Sequence, residues 1–526
     1  MSRVIGIDLG TTFSCVAFLE GDRPKVIPNL DGLPTTASVV SFTSSGEQLV
    51  GNLALRQAIT NPEKTVFAVK RLIGRKFNSE EIVEARKKMP YGLGESANGD
   101  VVILIDSRPI TPQEISSIIL AYLKKCAESY FGEPVSEAVI TVPAHFNDHQ
   151  RQATKDAARI AGLDVLRVIN EPTAASLAYG VDAGSNAKVA VFDMGGGTFD
   201  ITVLEIQDSV FQVLATNGDS YLGGEDFDNR IVDWVVDGFK KDHHIDLLQD
   251  KLALQRIKEA AERAKRELSF ALESDINLPF ISSTPEGSKH INVKLARRRL
   301  EELTCDLVKQ TVPLIERALS DARLEPEDIQ EIILVGGQTR MPLIRKTIAE
   351  FFNKKPREDI NPDEIVAMGA AIQSAIVKGE KSDLAVLLDV TSHSLGIETE
   401  NDTYQEIIER NTTIPTRKTM PFTTVENNQV RVTVHVLQGG DPVASRNKSL
   451  SRFDLVGIQP TQAGVPQIDV MFEIDADGIL KVSAHDAATG MNREVEIRAS
   501  SGLTRGEIDD IIKRSEARPG TVQTAK

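Results

Sequence analysis

The most distinctive pattern in the chain is an apolar run that stops on an acidic residue, turns through glycines, and resumes as an alternating strand. In Val189 to Val203, VAVFDMGGGTFDITV, the run up to Phe192 predicts a buried strand ending at Asp193. Gly195, Gly196 and Gly197 make the turn, and Thr198 to Val203 alternates as the returning strand. Glycines let the backbone approach a ligand closely, with N–H groups free to surround an anion such as a phosphate. Asp193 is a hard oxygen donor of the kind Mg²⁺ takes, largely through its retained waters. Alone, such a turn is equally well a plain tight hairpin. The N-terminus repeats it: VIGIDLGTTFSCV runs from an apolar strand to Asp8, then Gly10, Thr11 and Thr12, then a second strand. Two such hairpins predict two halves facing one phosphate chain. A third turn, Gly336 and Gly337, follows the apolar strand Ile332 to Val335 and precedes Thr339, Arg340 and Pro342, offering bare backbone to the adenosine end of a nucleotide. Neither the Gly-x-x-x-x-Gly-Lys-Ser/Thr loop nor the dinucleotide fingerprint is present.

Between these turns the pattern alternates strand and helix. Ala37 to Val50 reads as short strands, and Ser79 to Asp100, charged and then glycine-rich, as surface. Thr111-Pro112-Gln113-Glu114 opens a helix with a cap, a first-turn proline and a capping-box acid. The strand Ala138 to Val142 ends at Pro143, and Asn147 with Gln150 starts a helix running to about Ala161. Glu171 follows the strand Val165 to Ile169 and precedes a helix, at the sheet edge where α/β ligand sites gather; it suits Mg²⁺ or water positioning, or simply helix capping. Lys70, in Asn52 to Gly74, is suited to phosphates or to plain exposure. Lys251 to Leu272 predicts a helix placing Glu262, Lys265, Arg266 and Ser269 on one face, either to hold a ribose and base or as a solvated salt-bridged surface. Helices are also expected over Ala296 to Leu324 and Asp363 to Val377.

After Lys378 to Asp389 the pattern becomes nearly all strand. This segment carries Val386, Leu387 and Leu388, too apolar for a passive tether, and is expected to dock. Beyond it, Val430, Val432, Val434 and Val436, and later Ile468, Val470, Phe472 and Ile474, alternate with polar residues as in a β-sandwich. Thr504 and Glu507 cap a final helix.

At 526 residues the chain has room for two or more domains. Its 60 basic against 76 acidic side chains, a formal charge of -16, disfavour nucleic acid and anionic membrane as partners. A strand begins at once, with no leader, and no apolar span has membrane length, so a cytoplasmic location is expected. Cys15, Cys126 and Cys305 show no metal spacing and are expected to be buried, reduced thiols.

The phrases GIDLGTT, AVKRLIGRKF, VINEPTAASLAYG, VFDMGGGTFD, YLGGEDFDNR, AERAKRELS, ILVGGQTRMP, INPDEIVAMGAAIQ, VLLDVT, SLGIE, RNTTIPT and DADGILKVSA, in this order, resemble the DnaK or seventy-kilodalton heat-shock chaperone family over nearly the whole chain. The resemblance implies an actin-like α/β ATPase domain of two duplicated, ribonuclease H-like lobes (1–380), a hydrophobic linker (381–390), an antiparallel β-sandwich that binds extended apolar peptides (391–502), and the first lid helix with a disordered tail (503–526). Asp8 and Asp193 would hold hydrated Mg²⁺, Lys70 and Glu171 would flank the attacking water, and Thr11, Thr12 and Thr198 would contact phosphates. Gly10, Phe13, the Gly195 to Gly197 turn, Gly223, Gly224, Glu262, Lys265, Arg266, Ser269, Gly336, Gly337, Arg340 and Asp363 would complete the ATP/ADP site, with K⁺ as a second cation. Ile397, Glu400, Phe422, Val425, Val432 and Val434 would line the peptide cleft; sandwich core is the alternative for Ile397, Phe422, Val432 and Val434. Pro143 and Arg151, with Val386, Leu387, Leu388 and Asp389, would couple the domains. Implied partners are unfolded polypeptides, a J-domain co-chaperone and a GrpE-type exchange factor. A small-molecule kinase or a filament-forming ATPase of actin-like fold is the alternative.

The sequence departs from the family's pattern at Phe13 and His145, where polar or tyrosyl residues are usual, at Ser392-His393 in place of Pro-Leu after the linker, and at Glu400 and Val425 on the arch over the peptide. A carboxylate at the arch favours basic clients. Only the first lid helix, Thr504 to about Arg514, is recognisable, so bound peptide is expected to leave faster.

Overall fold

The computed structural model describes residues 3–183, 186–285, 287–380, 386–487, 490, 492–495 and 503–516. The expected boundary at 380/381, linker residues 381–385 and the tail after 516 lie outside them.

Two mixed sheets share one plan. In the first, Val4–Asp8, Phe13–Glu20 and Arg23–Val26 form an antiparallel meander, and Glu137–Val142 and then Asp164–Asn170 add in parallel beside Val4–Asp8. In the second, Ala187–Met194, Phe199–Gln207 and Val210–Asp219 repeat the meander, and Glu331–Val335 adds in parallel beside Ala187–Met194. The central strands are nearly continuous in Ile, Val, Leu and Phe because helices cover both faces; Ile5, Ile7, Val191 and Ile201 are all fully buried.

The helix Ile365–Val377, almost entirely apolar and small, packs between the two sheets. A methyl group on Gly369 would sit 1.7 Å from the Ala174 carbonyl oxygen, and one on Gly6 would sit 2.1 Å from the Ala371 nitrogen. The sequence MGAAIQ is therefore small because backbones touch there.

The capping signals act as expected. Thr111 accepts from the Glu114 amide at the start of Pro112–Phe131, and Asn147 and Gln150 form a reciprocal capping box before Asp148–Ile160. Ser79 to Asp100 lies mostly at the surface, as expected, but folds as a helix, Glu80–Lys88, and a strand, Gly92–Glu95. Ile82 and Tyr91 are buried in the first lobe's core, the apolar side of a mostly charged helix. Cys305 is exposed, unlike Cys15 and Cys126.

Two four-stranded antiparallel sheets follow. One orders Thr403–Ile408, Leu395–Thr399, Arg431–Gln438 and Lys448–Val456; the other orders Thr416–Phe422, Ile468–Ile474, Leu480–Asp486 and Asn492–Val495. Alternate residues from both fill the space between them, with Ile468, Phe472, Leu480 and Val482 fully closed off, each contributing about 1.5–3 kcal/mol of burial.

The segment Val386–Val390 is neither loop nor part of the sandwich. It pairs in parallel with Val210–Asp219 at the free edge of the second sheet, and Thr413–Ile414 pairs onto its other side. The expected docking is thus strand addition. Around it the Asp475 to Gly478 turn meets the first sheet: Lys155 Nζ lies 2.8 Å from Asp477 Oδ2, and the Val168 amide donates to Asp477 Oδ1. Arg410 and Asn411 both donate to Asp321. The last helix, Arg505–Glu516, packs Ile508 and Ile511 against Ile160. Among the described residues no helix is long and apolar enough to cross a membrane.

Candidate nucleotide site and its link to the sandwich

The two glycine hairpins face each other. A methyl group on Gly196 would fall 1.9 Å from Thr12 Oγ1, and one on Gly197 would fall 2.6 Å from Thr11 Oγ1. Only glycine allows this approach, and the two turns close one end of a cavity of about 490 Å³.

Its polar end carries Asp8, Asp193, Lys70 and Glu171, with Gly10, Thr11, Thr12, Gly195, Gly196 and Thr198 around them. Lys70 and Glu171 form a buried ion pair, and the Lys70 ammonium lies 5.8 Å from the Phe146 ring. Burial, then the Glu171 charge, pushes the Asp8 carboxyl up to about 7 and that of Asp193 well above the usual carboxylate range. Several carboxylates with one neighbouring ammonium form a site short of positive charge. Hard oxygens in that setting fit a divalent cation held through water.

The other end carries Phe13, Glu262, Lys265, Arg266, Ser269, Gly336, Gly337, Arg340 and Asp363. Arg266 lies 5.6 Å from the Phe13 ring, and Arg340 donates to Asp363 at 2.6 Å. Gly336, at φ 81, lies against Met194, where a methyl group would clash at 2.4 Å. The helix Lys251–Glu267 ends before Ser269, so that residue joins the wall from the turn beyond it rather than from the helix face expected.

Two of the glycines expected at the nucleotide, Gly197 and Gly223, stand behind the wall. Gly223 backs the glycine turn, where a methyl group would lie 2.6 Å from the Gly197 nitrogen; Gly224 lines the cavity and donates its amide to the Gly195 carbonyl. Sequence reasoning gave no role to Arg71 or Asp228. Arg71 donates twice to the Gly197 carbonyl, pairs with Asp226 and stacks 4.4 Å from Tyr221, so it ties the first lobe to the second lobe's turn. Its place beside Lys70 in AVKRLIGRKF was the available signal. Asp228, pushed up to about 7 by burial, accepts from Lys265.

A polar path leaves this site. Asn170, the residue before Glu171, donates to Asp389 Oδ2 at 2.9 Å, and Thr173 donates to the same oxygen. Arg151 donates to Asn170 Oδ1 and to the carbonyls of Ala144 and Phe146, beside Pro143. Leu387 and Leu388 are half-buried along Val210–Asp219, while Val386 is 53% exposed.

In the sandwich, Ile397 and Val434 are closed inside the core, Phe422 and Val432 are half-buried against it, and Glu400 and Val425 are exposed. The residues expected at the cleft therefore split between core and surface.

The family model described as Hsp70 protein matches residues 4–524, nearly the whole chain.

Proposed function

The chain belongs to the Hsp70 family, whose members are ATPases and chaperones, and from that premise we propose that it is an ATP-driven chaperone of two actin-like lobes and a peptide-binding sandwich. The observation carrying this reading is the unbroken contact from cavity to linker: Lys70 to Glu171, Glu171 to its neighbour Asn170, and Asn170 to Asp389. A site that positions a phosphate chain and a strand that docks beside it supply the two ends of an allosteric coupling.

ATP lies with its phosphates between the hairpins and its adenosine against Arg266 and the Gly336 turn. Asp8 and Asp193 would hold magnesium through water, and when bound it would supply charge neutralisation at the phosphates; the remaining carboxylate charge would suit K⁺. Lys70 and Glu171 hold the attacking water in line, and phosphoryl transfer needs little beyond such positioning and electrostatics. ATP favours the docked strand and an open cleft; hydrolysis releases the strand and tightens the cleft, with a reciprocal coupling of about 1–3 kcal/mol. Extended peptide enters as an added strand at the sandwich, main-chain bonds giving generality and an apolar pocket preference. A J-domain protein and a GrpE-type exchange factor pace the cycle. A fluorescent-peptide titration tests this: affinity weakens on adding ATP and recovers with ADP, and equal affinity in both states refutes the reading.

A further inference from the structure

Two histidines that the cycle above does not use meet where the sandwich joins the first lobe. His145 belongs to the loop between Glu137–Val142 and Asp148–Ile160; His393 lies between the docked strand Val386–Val390 and Leu395–Thr399. Their rings meet at a tilt of 43°, with centroids 4.3 Å apart. His145 Nδ1 has no solvent contact and no hydrogen-bond partner, and His393 Nδ1 is 2.9 Å from Ser392 Oγ. A neutral pair packs well here. An imidazolium does not, because among the described residues neither ring pairs with a carboxylate.

The charges facing the rings are positive: Arg317 and Arg410 toward His145, Arg151 and Lys448 toward His393. Two neighbouring carboxyls are engaged elsewhere. Asp321 binds Arg410, and Asp389 takes the Asn170 and Thr173 bonds. Asp148, near Arg151 and Lys448, is pushed up to about 6 by burial. Asp200 is pushed up to about 8 by burial, and it accepts the His145 amide. Asp148 loses its negative charge as pH falls through about 6. Every titration around the pair acts in one direction. Burial first, then Arg317 and Arg410, lowers the His145 ring to about 4; burial, then the His145 ring, Lys448 and Arg151, holds His393 well below its ordinary 6.5.

We propose that the His145–His393 pair is an acid-release latch: mild acid undocks the sandwich and linker from the first lobe whatever nucleotide is bound. Undocked rings regain ordinary behaviour and bind protons that docked rings refuse. Docking stability is therefore complete above pH 6.5 and is lost as pH falls below it. Between pH 7.5 and 5.5 docking weakens by about tenfold for one histidine and by about 100-fold for both. Resting on the ATP-driven reading above, the inference adds that acid holds peptide tightly even in ATP.

The test is energy transfer between dyes on the first lobe and the sandwich of the full chain, in saturating ATP. Wild type should lose transfer between pH 7.5 and 5.5, and His145→Phe with His393→Leu should keep it. Transfer indifferent to pH in wild type, or equally steep loss in the double variant, overturns the latch. Should the double variant fail to dock at pH 7.5, NMR titration of ¹³C-labelled histidine in wild type decides. His393 titrating below about 5 in the docked chain supports the latch, and titration near 6.5 overturns it. A pH effect without any nucleotide effect at pH 7.5 supports the latch and refutes the ATP reading instead.

Discussion

Asn170 reaches Asp389 across 2.9 Å, and the next residue in the chain, Glu171, pairs with Lys70. The linker carboxylate and the phosphate-site carboxylate thus flank one peptide unit at the end of the strand Asp164–Asn170. Burial raises the Asp389 carboxyl, and its bonds from Val390, Thr173 and Asn170 offset that cost.

Replacing Asn170 with Ala removes one of those donors and leaves a buried carboxylate under-satisfied, a loss of about 1–3 kcal/mol. The docked strand is weakened more than either domain. Peptide dissociation rates with and without ATP should show the ATP acceleration reduced by roughly 5- to 150-fold; full acceleration would remove Asn170 from the coupling.

Lys70→Ala deletes the ammonium facing Glu171 inside the cavity. Hydrolysis in a single turnover should slow by about 10²-fold or more, while nucleotide binding stays measurable. Unchanged chemistry would assign Lys70 a purely structural part.

Val432 is half-buried on the strand Arg431–Gln438, beside the closed core. Val432→Phe should fill the peptide cleft, abolishing peptide binding in fluorescence anisotropy while basal ATP turnover continues. Loss of both would point to a misfolded sandwich.

Burial and the Glu171 charge push the Asp8 carboxyl up to about 7 in the metal-free protein and raise that of Asp193 well above its ordinary value. Magnesium must displace protons so held, so its affinity should rise with pH between 6 and 8, by up to about tenfold per pH unit for each proton released. The sign for stability is the reverse. These raised carboxyls cost the metal-free fold stability as pH climbs from about 4 toward 7, and Mg²⁺ removes that cost. Calorimetric titrations with and without Mg²⁺ at pH 6 and 8 check both; affinity independent of pH would contradict the buried, protonated carboxyls.

The two glycine hairpins and the capped helices were legible because local periodicity and turn chemistry specify them. That the hairpins face each other was expected from their repetition, and Gly196 against Thr12 shows how closely. Pairing partners were not legible: nothing in VLLDVT states that its neighbour is Val210–Asp219, since apolar strands carry no address beyond burial. Ser269 was placed one turn too far along its helix because periodicity continues past the helix end. Ile82 was hidden within a charged stretch, as one core-facing side of an amphipathic helix often is. Arg71 had no legible role, its contact with Gly197 arising only when the two sheets' turns come together. Ile397 and Val434 could be core or cleft by pattern alone, and both lie in the core.

Were Val386–Val390 to leave Val210–Asp219, the main-chain groups of Val210, Phe211 and Gln212 would be stripped of their neighbour. Such an open sheet margin recruits any extended chain within reach, another copy of the molecule included. Each release of the connector therefore carries a colloidal hazard, and self-association of the protein should track how often it is released.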